Sequence, residues 1–138
     1  MNNISLIELE HWIGASEEAN WNEYITEHVA KGVIPKLSIE DWKFLKSITL
    51  SKPNYWQQRL AVSLGENGSK NAIDLLKRLL YSNFVEVQIM AACELAWAET
   101  PIEKDLKPRI IEIINEVKKI EGDNFYENYS EILELLEK

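Results

Sequence analysis

Residues 56–65 read WQQRLAVSLG, and the architecture of the chain can be inferred from them. A second stretch, VQIMAACELA at residues 87–96, repeats its pattern 31 residues later. Each begins with a bulky apolar residue and glutamine, continues with small and apolar residues, and ends in leucine followed by glycine or alanine. The same shift places Ser51 on Ser82. The pattern therefore predicts a repeating unit, a helical hairpin of 31 residues.

The shift also predicts which side chains are buried. Apolar positions of one unit fall on apolar positions of the next, and we expect all of them to lie in the core. These positions are Trp42, Phe44, Leu45, Ile48, Trp56, Ala61 and Leu64, which fall on Ile73, Leu75, Leu76, Leu79, Val87, Ala92 and Leu95. Small residues such as Ala61, Ala91 and Ala92 would let the second helix of each unit lie close to its neighbours. Cys93 belongs to the same run, so we expect a packed core thiol.

Apolar residues recur at helical spacing along nearly the whole chain, and no stretch alternates long enough to predict a strand. The predicted fold class is all-α, one domain with about eight helices. The predicted helices cover 4–14, 16–31 with Gly32 as C-cap, 38–48, 51–64 with Ser51 as a possible cap and Pro53 in its first turn, 69–81, 83–99, 100–120 and 126–138. Ser38 and Asp41 resemble a capping box, 65–69 is a tight loop, and Pro108 restarts or kinks its helix.

The stretch VEVQIMAACELA, residues 85–96, resembles the second helix of a HEAT-like repeat, and residues 56–65 are similar to it. The resemblance covers residues 38–99 best, residues 100–138 as a C-terminal hairpin, and residues 1–37 as an N-terminal hairpin or cap. It implies a short right-handed α-solenoid of about four hairpins, whose shallow concave face binds a partner.

The chain is acidic, with a net charge of −8. Residues 1–30 carry six acidic residues and no Lys or Arg, residues 121–138 carry six acidic residues and Lys138, and the middle is slightly basic. An acidic surface repels phosphate backbones and attracts basic proteins, so nucleic acid is not an expected partner. No apolar run is long enough for a bilayer, the start lacks a basic leader region, and the single cysteine suits a reducing compartment. We therefore expect a cytoplasmic protein that does not bind membranes.

Few residues suggest catalysis or metal binding. Glu8 and His11 have the spacing used in di-iron bundles, but a second such motif is missing, and zinc needs more His or Cys ligands. No phosphate-binding loop or catalytic signature is present. We expect no metal, no cofactor and no enzyme activity. The alternative, suggested by the repeat type, is a HEAT-like enzyme that acts on alkylated DNA bases or on bilin chromophores.

The expected function is protein binding without catalysis. In size, charge and architecture the chain resembles small bacterial immunity proteins, which bind and neutralise a cognate toxin domain, often a basic nuclease. The alternative is a general scaffold or adaptor, which a large apolar patch at one end of the stack would favour. The oligomeric state stays open, with a monomer as the starting expectation. The candidate partner-binding residues are Gln58, Glu66, Glu86, Glu94, Trp97 and Glu99 from second helices and turns, and Asp123, Tyr126 and Glu127 from the acidic C-terminal turn.

Overall fold

The computed structural model describes residues 4–137, and within that range the chain is all-helical, with eight α-helices and no strand. The helices are α1 (Ile4–Ile13), α2 (Glu23–His28), α3 (Ile39–Ile48), α4 (Asn54–Asn67), α5 (Lys70–Leu79), α6 (Val85–Trp97), α7 (Lys107–Glu121) and α8 (Asn124–Leu133). A π-helical turn, Val29–Val33, continues α2, and 3-10 turns cover Ile34–Lys36, Thr49–Ser51, Lys104–Leu106 and Glu134–Leu136. The all-α prediction is confirmed. Predictions for residues 1–3 and 138 lie outside the described residues.

The centre of the fold is the pair α4 and α6, which pack side by side, with α5 against both. Ala61 on α4 and Ala91 and Ala92 on α6 are fully buried, because small side chains let the two helices approach closely. On the outer sides, α4 contacts α1 and α2, and α6 contacts α7 and α8. None of the described helices is both long and apolar enough to cross a membrane.

The repeated glutamine has the same structural role in both units. The Nε2 of the fully buried Gln57 donates to the carbonyl oxygen of Lys52 at 2.7 Å. The Nε2 of Gln88 donates to the carbonyl oxygen of Ser82 at 2.6 Å. Each glutamine thus holds the turn that precedes its own helix. The Ser82 hydroxyl also donates to Gln57 Oε1 at 2.7 Å, which joins the two units.

Two arginines, 31 residues apart, each bind a backbone carbonyl at the C-terminal end of an earlier helix. Arg78 on α5 donates from Nε to the carbonyl oxygen of Lys46 at 3.0 Å. Arg109 on α7 donates from Nε to the carbonyl oxygen of Leu80 at 2.8 Å. Lys46 lies in the last turn of α3 and Leu80 directly follows α5, so each arginine ties its own helix to the end of an earlier one.

Two predictions about α2 are wrong. The helix begins at Glu23 instead of Ser16, because the side chain of Asn22 accepts from the Ile25 amide and caps it there. Gly32 does not end the helix. The backbone stays helical through the π-helical turn to Val33, and the chain becomes extended only at Leu37, after Pro35.

The ends of α4 and the start of α6 also differ from prediction. α4 runs to Asn67, so residues 65–67 are helical, and Gly68 caps the helix in the left-handed conformation with φ 68°. Pro53 takes the N-cap position of α4, while Ser51 belongs to the preceding 3-10 turn. At α6 the N-cap position is Phe84, one residue after the predicted Asn83.

The helix predicted over 100–120 begins instead at Lys107. Pro108 lies in the first turn of α7. A helix that began at Pro101 would carry Pro108 in its interior, where the ring clashes with the preceding turn and one hydrogen bond is lost. The second proline therefore sets the start of the helix.

The prediction that Phe44 lies in the core is wrong. Trp42, Leu45 and Trp56 are buried, but the Phe44 side chain is 52% exposed. Its counterpart in the next unit, Leu75, is fully buried where α5 packs against α3 and the central pair. No earlier hairpin covers α3 in the same way among the described residues. Phe44 instead lines a shallow cleft with residues of α1.

Candidate partner-binding groove

A continuous groove crosses the exposed faces of α4 and α6, from α2 at one end to α8 at the other. It consists of three adjoining cavities of about 610, 400 and 360 Å³. The first two share Trp21 and Val62, and the last two share Gln58, Val62 and Met90. We call this feature the α4–α6 groove.

The floor of the α4–α6 groove is apolar and aromatic in its middle cavity and its α8-end cavity, whereas the α2-end cavity is lined mainly by polar residues. The apolar and aromatic lining residues of the groove are Trp21, Tyr55, Val62, Ile89, Met90, Trp97 and Tyr129. Trp97 is 63% exposed and stands at the C-terminal end of α6. Exposed aromatic side chains with low conformational freedom are typical anchors of protein interfaces.

Five acidic residues line the same groove: Glu23, Glu27, Glu66, Glu86 and Glu94. Lys31 lies 3.5 Å from Glu27 and 3.9 Å from Glu66, both across exposed side chains. Within residues 4–137, no basic side chain forms an ion pair with the other three acids. The groove thus combines an apolar floor with an excess of negative charge, which suits a basic and partly apolar ligand.

Arg59 is the one basic residue of the described chain that lines the groove, and its guanidinium is already occupied. It donates to four backbone carbonyl groups of residues 13–19, at 2.6–3.4 Å. It also lies over the rings of Trp21 at 5.6 Å and Tyr55 at 5.1 Å. Arg59 therefore holds the segment between α1 and α2 and shapes the groove floor.

Glu94 lies closely against Gly65 of α4. A Cβ atom at Gly65 would overlap the Glu94 carboxyl group and lie 2.9 Å from its Cγ, so glycine is what admits this side chain. Burial raises the pKa of Glu94 from 4.5 to about 7, and the negative charge of Glu66 adds to the effect. The carboxyl group therefore titrates well above the range of an ordinary glutamate.

Cys93 lines the groove beside Glu94 and is buried, as expected for a core thiol. Burial raises the pKa of Cys93 to about 12, with further contributions from the charges of Glu131 and Glu94. Because the thiolate is the nucleophilic form, this thiol is unreactive at neutral pH. Burial, with the charge of Glu121 among other groups, also raises the pKa of the Tyr129 hydroxyl.

The structure brings five of the nine candidate residues together in the groove: Gln58, Glu66, Glu86, Glu94 and Trp97. Two of them are linked through Asn54 of α4, which accepts from Gln58 Nε2 at 2.8 Å and donates to Glu86 Oε1 at 3.2 Å. That bridge ties α4 to α6 and fixes the groove width at this point.

The other four candidates lie elsewhere. Glu99 follows α6 with a left-handed φ of 55° and does not line the groove. Asp123, Tyr126 and Glu127 are exposed around the start of α8, and the Lys118 ammonium lies 5.1 Å from the Tyr126 ring centroid. The residue of this segment that reaches the groove is Tyr129.

Several groove residues were not among the candidates: Trp21, Tyr55, Val62, Met90 and Tyr129. Tyr129 follows Tyr126 by one helical turn, which is the signal that could have included it. Trp21 comes from a different part of the chain, and no local pattern places it next to α4.

Glu8 and His11, which have the spacing used in di-iron bundles, do not belong to a metal-binding cluster of the described residues. Glu8 pairs with Lys36 at 3.6 Å, and His11 is exposed. Across residues 4–137, no group of three His, Cys, Asp or Glu side chains is placed to hold a metal ion.

Comparisons with protein-family models, with curated proteins and with solved structures find no match.

Proposed function

We propose that this chain is a short right-handed α-solenoid of HEAT-like hairpins that binds a basic protein partner in the α4–α6 groove. The partner we propose is a bacterial toxin domain of the nuclease type, and the chain is then the immunity protein that neutralises it. The observation that carries the proposal is the groove itself, an apolar and aromatic floor lined by five acids.

The repeat supports the solenoid part of this proposal. Gln57 and Gln88 each hold the turn before their own helix, and Arg78 and Arg109, which are 31 residues apart, each bind a carbonyl group at the end of an earlier helix. Similar contacts made by residues at the repeat spacing are expected when similar hairpins stack on their neighbours. The second helices of the two clearest units, α4 and α6, would then form the concave face, and this is the face that carries the groove.

The negative charge of the groove and of the whole chain supports the proposal that the chain inhibits a nuclease-type toxin. Nuclease domains bind phosphates with basic surfaces, and a row of carboxylates can occupy such a surface in place of the nucleic acid. Steering by the net charge of −8 would speed the encounter. The aromatic floor would supply the short-range contacts that slow dissociation.

The test is binding to a basic nuclease-type domain sought among the products of neighbouring genes, measured by calorimetry together with inhibition of nuclease activity. We expect stoichiometric binding that weakens with salt. Glu66→Gln with Glu86→Gln should lower the affinity at low salt by about tenfold. The matched control is Glu112→Gln with Glu116→Gln, which removes the same charge from exposed positions on α7. An equal effect of both pairs, or no binding, would contradict the proposal.

A scaffold or adaptor function is the second candidate, and the α1–α3 cleft favours it. This cleft has a volume of about 290 Å³ and is lined by Leu6, Ile7, Leu9, Glu10, Phe44, Leu45 and Ile48. Ile7 is 66% exposed and Phe44 is 52% exposed. A scaffold would hold a neutral partner here, so its binding would be insensitive to salt and lost with Ile7→Ser and Phe44→Ser. Co-purification at two salt concentrations separates the two functions.

A further inference from the structure

We propose that Glu94 and Trp97, at the α8 end of the α4–α6 groove, bind the guanidinium group of an arginine side chain from the basic partner. This inference rests on the proposed function, because it names the chemistry of one contact within the same groove. The site, which we call the Glu94 pocket, is the cavity of about 360 Å³ whose lining also includes Met90 and Tyr129.

The spacing of the two residues suits a guanidinium. Glu94 and Trp97 are three residues apart on α6, so their side chains lie on the same face of the helix. An arginine can donate two hydrogen bonds to a carboxylate while its flat face stacks on an indole ring. A lysine ammonium carries the same charge but lacks the planar fork, so it fits the pair less well.

The chain already makes a contact of this kind in the middle cavity of the groove. The Arg59 guanidinium lies over the Trp21 and Tyr55 rings, where backbone carbonyl groups accept its hydrogen bonds. The position equivalent to Arg59 in the next unit, 31 residues later, is Met90. The Glu94 pocket therefore has an acceptor and exposed aromatic side chains, but its helix supplies no guanidinium of its own.

No cation in the described part of the chain balances Glu94. The charge that acts on it is that of Glu66 from α4, and the other ionisable groups that line the same cavity are Glu86 and Cys93 from α6 and Tyr129 from α8, all acidic or neutral. Because the pKa of Glu94 lies at about 7, an arriving cation would displace a proton from part of the molecules at neutral pH. Binding should therefore release protons, and it should tighten as the pH rises from 6 to 8.

The experiment uses hexa-arginine as the probe, with hexalysine for comparison, in calorimetric titrations at low salt. Titrations at pH 7 in buffers of different ionisation enthalpy count the protons released. We expect hexa-arginine to bind the wild type more tightly than hexalysine, with release of part of a proton per chain. Glu94→Gln should weaken hexa-arginine binding about tenfold and abolish the proton release. Trp97→Ala should weaken hexa-arginine binding more than hexalysine binding.

Two further variants sharpen the test. Gly65→Ala places a methyl group where the Glu94 carboxyl lies, so it should displace the carboxylate and remove the proton release without deleting the charge. Glu116→Gln is the matched control, an exposed acid on α7, and should change the affinity by less than about twofold. Circular dichroism at each pH verifies that every variant is folded.

Unchanged affinity and proton release in Glu94→Gln would overturn the inference, as would a wild type that binds neither peptide. If Glu66→Gln with Glu86→Gln still weakens hexa-arginine binding, the groove proposal stands and only the Glu94 pocket fails. If no groove variant has any effect on either the peptides or the toxin domain, both proposals fail together.

Discussion

Glu94 should destabilise the folded protein at neutral and alkaline pH, so its replacement by glutamine should be stabilising. Burial against Gly65 and the charge of Glu66 raise the pKa of this carboxyl group from 4.5 to about 7. A carboxyl group with a raised pKa binds its proton more tightly in the folded state than in the unfolded state. Its penalty is therefore absent below about pH 4.5, grows as the pH rises, and is complete above about pH 7.

The magnitude of this destabilisation follows from the two pKa values of Glu94. A rise from 4.5 to about 7 corresponds to at most about 3 kcal/mol of destabilisation by the ionised group. Glu94 retains contact with solvent along the groove, which reduces the penalty, so we expect about 1–2 kcal/mol. Glu94→Gln should therefore raise the free energy of unfolding by about 1–2 kcal/mol at pH 8, and by less than about 0.5 kcal/mol at pH 4.5.

The assay is urea unfolding of the wild type, Glu94→Gln and the control Glu116→Gln at pH 4.5, 6 and 8. The control removes one acid from an exposed position and accounts for the general effect of net charge. A stabilisation that is the same at every pH, or a loss of stability at pH 8, would refute the reasoning. A gain that appears only as the pH rises would support it, and it would mark Glu94 as a residue kept at a cost to stability.

Two further predictions concern packing, and both are measured by urea unfolding. Arg59→Met removes the donor of four carbonyl bonds to residues 13–19 and should cost about 2–4 kcal/mol, whereas Arg78→Met, which removes one exposed bond, should cost less than about 1 kcal/mol. Similar losses in the two variants would contradict the role given to Arg59. Phe44→Ser should cost less than about 1 kcal/mol because the ring is half exposed, and Leu45→Ala should cost about 2–4 kcal/mol because that side chain is buried. A reversed order would contradict the correction to the core.

The sequence predicted best the features that depend on neighbouring residues. The capping box at the start of α3 is present, with Asp41 N donating to Ser38 Oγ at 3.1 Å and Ser38 N donating to Asp41 Oδ2 at 3.0 Å. α5 begins at Lys70, within one residue of the predicted start, and the Ser69 side chain caps it by accepting from the Ala72 amide. These signals act within one turn of helix, so they can be recognised from the sequence without knowledge of the tertiary structure.

Two of the failures arose where distant contacts contribute. Residues 14–22 are not helical, and Arg59, more than 30 residues away in sequence, holds part of that segment. Phe44 has the right spacing for the core, but its burial depends on whether another hairpin covers it. Local periodicity contains neither kind of information.

The groove residues also divide into those that local spacing predicts and those whose place depends on distant contacts. Glu66, Glu86, Glu94 and Trp97 could be chosen because helical spacing places them on the outer face of second helices. Trp21 reaches the groove from another unit, so its place depends on packing. The burial of the Glu94 carboxyl group depends on the absence of a side chain at Gly65. The sequence does not reveal this contact, because it forms only when α4 and α6 pack side by side.

The decisive measurement is the affinity of the purified chain for the partner we propose, a basic nuclease-type domain sought among the products of neighbouring genes, compared between the wild type and Trp97→Ala. Trp97 is the most exposed ring of the groove floor, so it should act as an anchor in the complex. We predict a loss of more than about 2 kcal/mol, or roughly thirtyfold in Kd, without loss of folding. Wild-type affinity in Trp97→Ala, or a wild type that does not bind the toxin domain, would contradict the account.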